Sequence, residues 1–389
     1  MSLPAVVGGE PAFPEALPFV RPTVPDLDRV VARFAPSYER GMLTNGPLVR
    51  AFEEQAAVWL GVPHVVAVSS CTAGLMLVLR VLAPRGPVVV PSFTFSASAH
   101  AIAWNGLEPR FVECDPASFQ VDPASVVSRL DGAGAVLATH VFGAPCEVEA
   151  LEGLAAGAGI PVFFDAAHAF GALRDGRAIG GFGAAEVFSL SPTKVVVAGE
   201  GGVVATRDGS LAEALRIGRD YGNPGDYDTQ FVGLNARMSE LHAAIALESL
   251  ADLDERLAQR RRVVDRYRNG LSELPGVVAQ HVDVRDRSTY KDFTVAIDEG
   301  AFGLPRDLVV KALRADGIDT RCYFSPPAHR QHAYRDVAPF DLPVTDAVAA
   351  RVVSLPIYAT LTDAQVDAVT RALGALHRHA EEVRAAVEA

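Results

Sequence analysis

Lysine is almost missing from this chain. Of its 35 basic residues only Lys194, Lys291 and Lys311 are lysines. Arginine carries charge equally well but cannot form a Schiff base. A desolvated lysine loses its proton and then attacks carbonyl carbon. Lys194 sits in the run Phe188-Ser189-Leu190-Ser191-Pro192-Thr193-Lys194, just before Gly199-Glu200-Gly201-Gly202. Lys291 and Lys311 lie outside any comparable run and read as surface or rim residues.

Other absences narrow the function. The four cysteines, Cys71, Cys114, Cys146 and Cys322, form no CxxC pair. That excludes a zinc knuckle and suits a reducing compartment. No basic stretch precedes an apolar run near the start, where the first arginine is Arg21. Neither a signal peptide nor a spanning helix is expected, and the location expected is cytoplasmic. Positive charge is in deficit: the net charge of −12 argues against nucleic acid and against an anionic membrane as partners. It leaves room for a local basic pocket. No GxGxxG follows the first strand, and Gly181-Phe182-Gly183 lacks the third glycine, which excludes a nicotinamide-binding oxidoreductase. His329 and His332 are spaced like a chelate but have no third ligand in the pattern, so no metal site is expected.

What is present reads as an α/β protein. At 389 residues the chain is long enough for two domains, and its apolar content supports a large core. Apolar runs at 65–68, 88–90, 109–112, 135–138, 162–164, 186–189 and 202–205 alternate with helical or turn-rich stretches. Continuous apolar strands between helices indicate a mostly parallel sheet covered on both faces. Residues 1–24 read as an extended, proline-rich arm, and 237–267 as one long connecting helix. Beyond it, strands are expected at 277–282, 293–297 and 320–323, with helices at 305–315, 344–352, 363–376 and 381–387. The division expected is a large domain with its N-terminal arm over 1–250 and a smaller α+β domain over 251–389.

Four segments carry candidate chemistry. Asp165 ends an apolar strand, where α/β sheets place ligands, although Asp there also commonly caps a helix. Ser70-Cys71-Thr72-Ala73-Gly74 joins a strand to a helix. Hydroxyls and free N–H groups at a helix N-terminus suit a phosphate, or simply cap the helix. Ser189 precedes Lys194 by five residues. Asn235-Ala236-Arg237-Met238-Ser239-Glu240 opens the long helix, where Ser and Glu again permit a capping reading.

In this order, with Leu43-Thr44-Asn45-Gly46-Pro47, Pro91-Ser92-Phe93-Thr94-Phe95 and Asp165-Ala166-Ala167-His168-Ala169-Phe170-Gly171, the segments resemble the DegT/StrS-like sugar aminotransferases, which depend on pyridoxal 5'-phosphate. The resemblance implies the fold type I architecture of such transferases, with a seven-stranded, mostly parallel sheet between helices and a smaller α+β C-terminal domain. It implies that Lys194 holds the cofactor as an internal aldimine and Asp165 pairs with its ring nitrogen. Phe95 would stack on the ring, and His168 would stand near the ring oxygen, where many members carry Gln. Thr72 and Ser189, with the backbone of Cys71 and Ala73, would hold the phosphate. Cys71 replaces the glycine usual in that turn and reads as a small buried filler rather than a reactive thiol. Asn235 would reach the phosphate of a partner subunit, giving a homodimer with shared sites. Tyr323 and His329, in a segment resembling the acceptor-site lining, are the substrate candidates. The donor implied is glutamate or glutamine, with pyridoxamine phosphate as the intermediate cofactor form. The acceptor implied is a nucleotide-linked keto-deoxysugar, or a keto-cyclitol. Two rivals remain: a sugar dehydratase, in which a histidine replaces the Schiff-base lysine, and a non-catalytic regulatory protein. The presence of Lys194 disfavours the first, and the lack of a basic patch or DNA-binding segment disfavours the second.

Overall fold

The computed structural model describes residues 3–337 and 340–388, so the first two residues of the expected arm lie outside it. Strands β1 (His64–Val68), β2 (Val88–Pro91), β3 (Pro109–Val112), β4 (Ala135–Thr139) and β5 (Val162–Asp165) come first. A small hairpin, β6 (Leu173–Arg174) and β7 (Arg177–Ala178), separates them from β8 (Glu186–Ser189) and β9 (Gly202–Thr206). Seven of these form one sheet in the order β1-β9-β8-β5-β4-β2-β3. Only β9 runs against its neighbours; the remaining pairings are parallel. Nearly every residue in these strands is buried, because helices cover both faces. The sequence expectation of a mostly parallel α/β sheet therefore holds.

Strand direction determines where the site lies. The C-terminal ends of β1, β2, β5 and β8 lead directly into Ser70–Thr72, Ser92–Phe95, Asp165 and Ser189. Ligands of open parallel sheets bind outside these ends.

A second sheet follows. It comprises β10 (Val277–Ala279), β12 (Phe293–Ile297) and β13 (Val352–Leu355), all antiparallel, while β11 (Asp286–Arg287) joins the small hairpin instead. Here several expectations need correction. The 237–267 stretch is two helices, Glu240–Ala251 and Leu253–Leu271, broken at Asp252. Residues 320–323 form no strand beyond a single bridge from Arg321 to Ser354. The helix expected at 344–352 runs from Pro343 to Arg351, but an unexpected strand, β13, follows it directly and takes Val352 from its end. The Val352-Val353 pair of β13 favours extended backbone, and all four residues of the strand are buried. The N-terminal arm, expected with the large domain, packs on the second sheet's core. Leu17 bridges Ile318, Phe13 N–H donates to Asp316 O, and Leu17 belongs to the same apolar cluster as Val295 and Leu355.

Between the sheets lies an aromatic wedge of Phe93, Phe119, Phe142 and Phe324. Phe93 meets each of the others at centroid distances of 5.4–6.2 Å. Such pairs add about 0.5–1.5 kcal/mol each beyond their buried area. The wedge fixes the loop that carries Tyr323 over the strand ends.

Candidate active site

A cavity of about 340 Å³ opens at the C-terminal strand ends. Its wall includes Ser70, Cys71, Thr72, Phe95, Asp165, His168, Ser189, Lys194 and Tyr323, so nine residues from distant segments converge on one space. Eight of the eleven sequence candidates are among them.

The helix Cys71–Leu82 begins at the end of β1. Ser70 caps it by accepting the N–H of Ala73. That corrects one expectation: the Ala73 N–H is taken by Ser70, and Ala73 does not line the cavity. Thr72 does, beside Ser189 and Ser191 from the turn after β8. The first turn of a helix with three hydroxyls around it is a suitable cradle for a phosphate. Gly202 lets β9 start against this turn, since a Cβ there would lie 2.6 Å from the Cys71 nitrogen. Cys71 packs beneath the cradle, its Sγ 3.9 Å from Asp165 Oδ1. Burial, reinforced by the Asp165 charge, pushes this thiol well above its ordinary pKa. Its side chain is buried, and the raised pKa disfavours a thiolate there.

Asp165 is only 3% exposed. Its Oδ2 accepts from Ser98 Oγ at 2.6 Å and its Oδ1 from the Ala167 N–H at 3.0 Å. Burial raises its pKa, while Ser98, Ala167 and Lys194 counteract the rise. A carboxylate in that state gains from a cationic N–H donor in the cavity, which is what a protonated pyridine nitrogen offers. Ser98 escaped the sequence reading, because a single Ser in the Ala-rich helix Ser96–Trp104 carries no pattern.

His168 is half-buried, and its Nδ1 is buried with no hydrogen-bond partner among the described residues. Burial, then the Lys194 and Lys291 charges, hold its pKa well below the ordinary value. The residue lines the cavity, so its neutral ring can meet the oxygen substituent of a pyridoxal ring there. Phe95 is 59% exposed, so one ring face is free for stacking.

Lys194 sits in a tight turn closed by its N–H to Ser191 O at 3.0 Å. Burial lowers its pKa to about 8, helped by Lys291 and opposed by Asp292, Cys71 and Asp165. The amine is thus prepared for nucleophilic work.

Lys291 itself overturns an expectation. It is a buried wall residue of this cavity, not a surface lysine. His329 departs in the opposite direction. Its Nδ1 lies 2.6 Å from Ser92 Oγ, its Nε2 lies 3.3 Å from Asp346 Oδ1, and it is outside the cavity. Its Nδ1 braces the loop after β2, while its Nε2, near Asp346, has no hydrogen-bond partner among the described residues. Asn235 is exposed and also outside this chain's cavity. No cluster of metal-ligating side chains occurs among the described residues.

The model of the DegT/DnrJ/EryC1/StrS aminotransferase family matches residues 28–374. The chain belongs to that family. It is therefore a pyridoxal-phosphate-dependent aminotransferase, with the type I fold of such enzymes. Relatives include the dTDP-4-amino-4,6-dideoxy-D-glucose transaminase of Escherichia coli, 30% identical over 92% of this chain and 98% of that protein. The GDP-perosamine synthase of Caulobacter vibrioides is 34% identical over 84% of this chain and 90% of its own. Among solved structures, DesI in the presence of its TDP-sugar product superposes with a TM-score of 0.94 at 38% identity, covering 99% of both chains. The family member described here retains a lysine in the turn after β8, which separates it from the dehydratase pattern.

Proposed function

We propose that this aminotransferase moves an amino group from L-glutamate or L-glutamine to a nucleotide-linked keto-deoxysugar. The observation that carries the reading is the convergence of Lys194, Asp165 and His168 on one cavity at the strand ends. Its relatives named above act on nucleotide sugars, and one was solved with a TDP-sugar product.

Thr72, Ser189 and the first turn of the Cys71–Leu82 helix would hold the cofactor phosphate, Phe95 its ring face, Asp165 its ring nitrogen and His168 its ring oxygen. When bound, the cofactor supplies an electron sink for the carbanion left when an amino acid loses its Cα proton. Asp165 keeps a proton on the ring nitrogen, which an amide in its place would not do. Lys194 Nζ would anchor the cofactor and would serve as the general acid/base that removes the donor Cα proton and delivers it to the cofactor. Tyr323 and Phe324 line the cavity from the loop after Arg321 and would limit water around these transfers.

The working unit proposed is a homodimer with shared sites. The Thr44 and Asn235 segments are tied together within one chain. Thr44 bridges Ser239, and Glu240 accepts the N–H groups of Gly46, Leu48 and Val49. Around them Leu43, Tyr221 and Val232 expose large apolar surface, as an interface would. An active monomer at assay concentration would sink this part. The break at Asp252 supports a domain boundary near residues 250–251. The four free thiols support a cytoplasmic location, and no described helix is long and apolar enough to cross a membrane. The test is incubation of the cofactor-loaded protein with L-glutamate and a panel of nucleotide-linked keto-deoxysugars, followed by mass analysis. Replacement of a keto oxygen by an amino group supports the reading; consumption of glutamate with keto-cyclitols alone contradicts it.

A further inference from the structure

The cavity contains a cation that the roles assigned above leave unused. Lys291 lies between β11 and β12, and its side chain is 5% exposed. Its Nζ donates to Asp292 Oδ1 at 2.8 Å and lies 5.7 Å from the centroid of the Tyr323 ring. Burying an ammonium costs several kcal/mol, by order of magnitude, unless it is paired. A purely structural ion pair would be expected to turn both charges into protein. Here the arrangement is directional. Lys291 lines the cavity and Asp292 does not, so the carboxylate stands behind and the ammonium in front. Asp292 takes one N–H of three, and the Tyr323 face lies beside the ammonium. A fixed ammonium with a donor free toward a cavity is an anion site.

Three anions are common to both donors in the transamination proposed above, on which this inference rests; the side-chain carboxylate of L-glutamate is a fourth that L-glutamine lacks. The cofactor phosphate has its cradle at Thr72 and Ser189. The diphosphate of a nucleotide sugar is separated by the sugar from the carbon that gains the amino group. The α-carboxylate of the donor is one bond from the carbon that loses it. Lys291 lies at that reacting end, because it shares one cavity wall with Lys194 and His168. We propose that Lys291, held by Asp292, receives the α-carboxylate of the amino donor and positions its Cα beside Lys194. The carboxylate would also neutralise the Lys291 field, so Lys194 binds a proton more readily once the donor has arrived. The groups that set this balance are Cys71, Asp165, Lys291 and Asp292 around Lys194, with His168 across the cavity.

The scarcity of lysine makes a direct test possible. The full-length, cofactor-free protein labelled with ζ-15N lysine gives three side-chain signals, assigned by single Lys→Arg variants. The probes are glutarate, a dicarboxylate with no amino group, and inorganic pyrophosphate. Glutarate is expected to move the Lys291 signal and raise the Lys194 midpoint by about one pH unit, while pyrophosphate moves neither. Removing both charges, as Lys291→Met with Asp292→Asn, avoids stranding a buried carboxylate. In that variant glutarate leaves Lys194 unmoved, and the apparent Kd for donor in the bleaching of the cofactor band weakens about 10- to 100-fold. The loss is equal for L-glutamate, L-glutamine and L-alanine, since all three carry the α-carboxylate; Lys291→Arg restores part of the affinity. A response to pyrophosphate alone would assign the cation to the acceptor and overturn the proposal. No response to either probe would reduce the pair to a structural one. A loss confined to L-glutamate would move the contact to its side-chain carboxylate. Failure of the cofactor to bind Lys194 at all is read separately, as the absence of a yellow band.

Discussion

Replacing Ser98 with alanine tests whether Asp165 works as a buried carboxylate held for a cationic partner. Ser98 Oγ donates to Asp165 Oδ2 at 2.6 Å, inside the protein, and receives in turn from Thr94 Oγ1 at 3.1 Å. The substitution removes one hydroxyl, and Thr94 keeps its contact with Thr139 at 3.0 Å. A hydrogen bond to a charged group contributes about 1.5–3 kcal/mol. Its loss makes the ionised carboxylate harder to maintain and so weakens its grip on a protonated ring nitrogen. At about 2 kcal/mol the expected effect is a roughly 30-fold higher Kd for pyridoxal 5'-phosphate. The assay is a spectral titration of cofactor-free protein, in the wild-type and in the Asp165→Asn background. Because Ser98 acts through Asp165, the same change in the second background should cost less than threefold. Equal losses in both backgrounds would refute the reasoning, as would no loss in the first.

Three further outcomes are expected. The rate of cofactor loading onto Lys194 rises about tenfold per pH unit below 8 and levels above it, because only the neutral amine attacks and its pKa is lowered to about 8. At pH 7 this lowered pKa gives a neutral fraction about 300-fold larger than an ordinary lysine has; a rate still climbing past pH 9.5 would contradict it. Lys194→Ala loses the yellow band and turnover, yet equilibrium dialysis still detects bound cofactor through the phosphate cradle. Arg219→Met lowers stability by about 3 kcal/mol in urea unfolding, since it strands Glu53 in a buried pair with a 2.5 Å contact; a change below 1 kcal/mol would show the pair to be dispensable.

The strands of the large sheet were legible because buried parallel strands are written as uninterrupted apolar runs. The candidate site was legible at strand ends, where Asp165, Thr72, Ser189 and Lys194 follow such runs directly. Positions that depend on another segment were not. Nothing local marks Ser98 as the partner of a residue 67 positions away. His329 sits in a promising loop, but its Nδ1 is committed to Ser92 and the residue lies outside the cavity. Lys291 carried a usable signal: the rarity that drew attention to Lys194 applies to it equally. The β13 run at Val352 failed for another reason, since a four-residue apolar strand after a helix has no period of its own to announce the change.

The most direct test of the account is the visible spectrum of the purified protein with pyridoxal 5'-phosphate, before and after L-glutamate. The account predicts a yellow band, absent in Lys194→Ala, that bleaches when the donor is added. A yellow band untouched by glutamate or glutamine would contradict the proposed donor. No yellow band at saturating cofactor would contradict the central role given to Lys194.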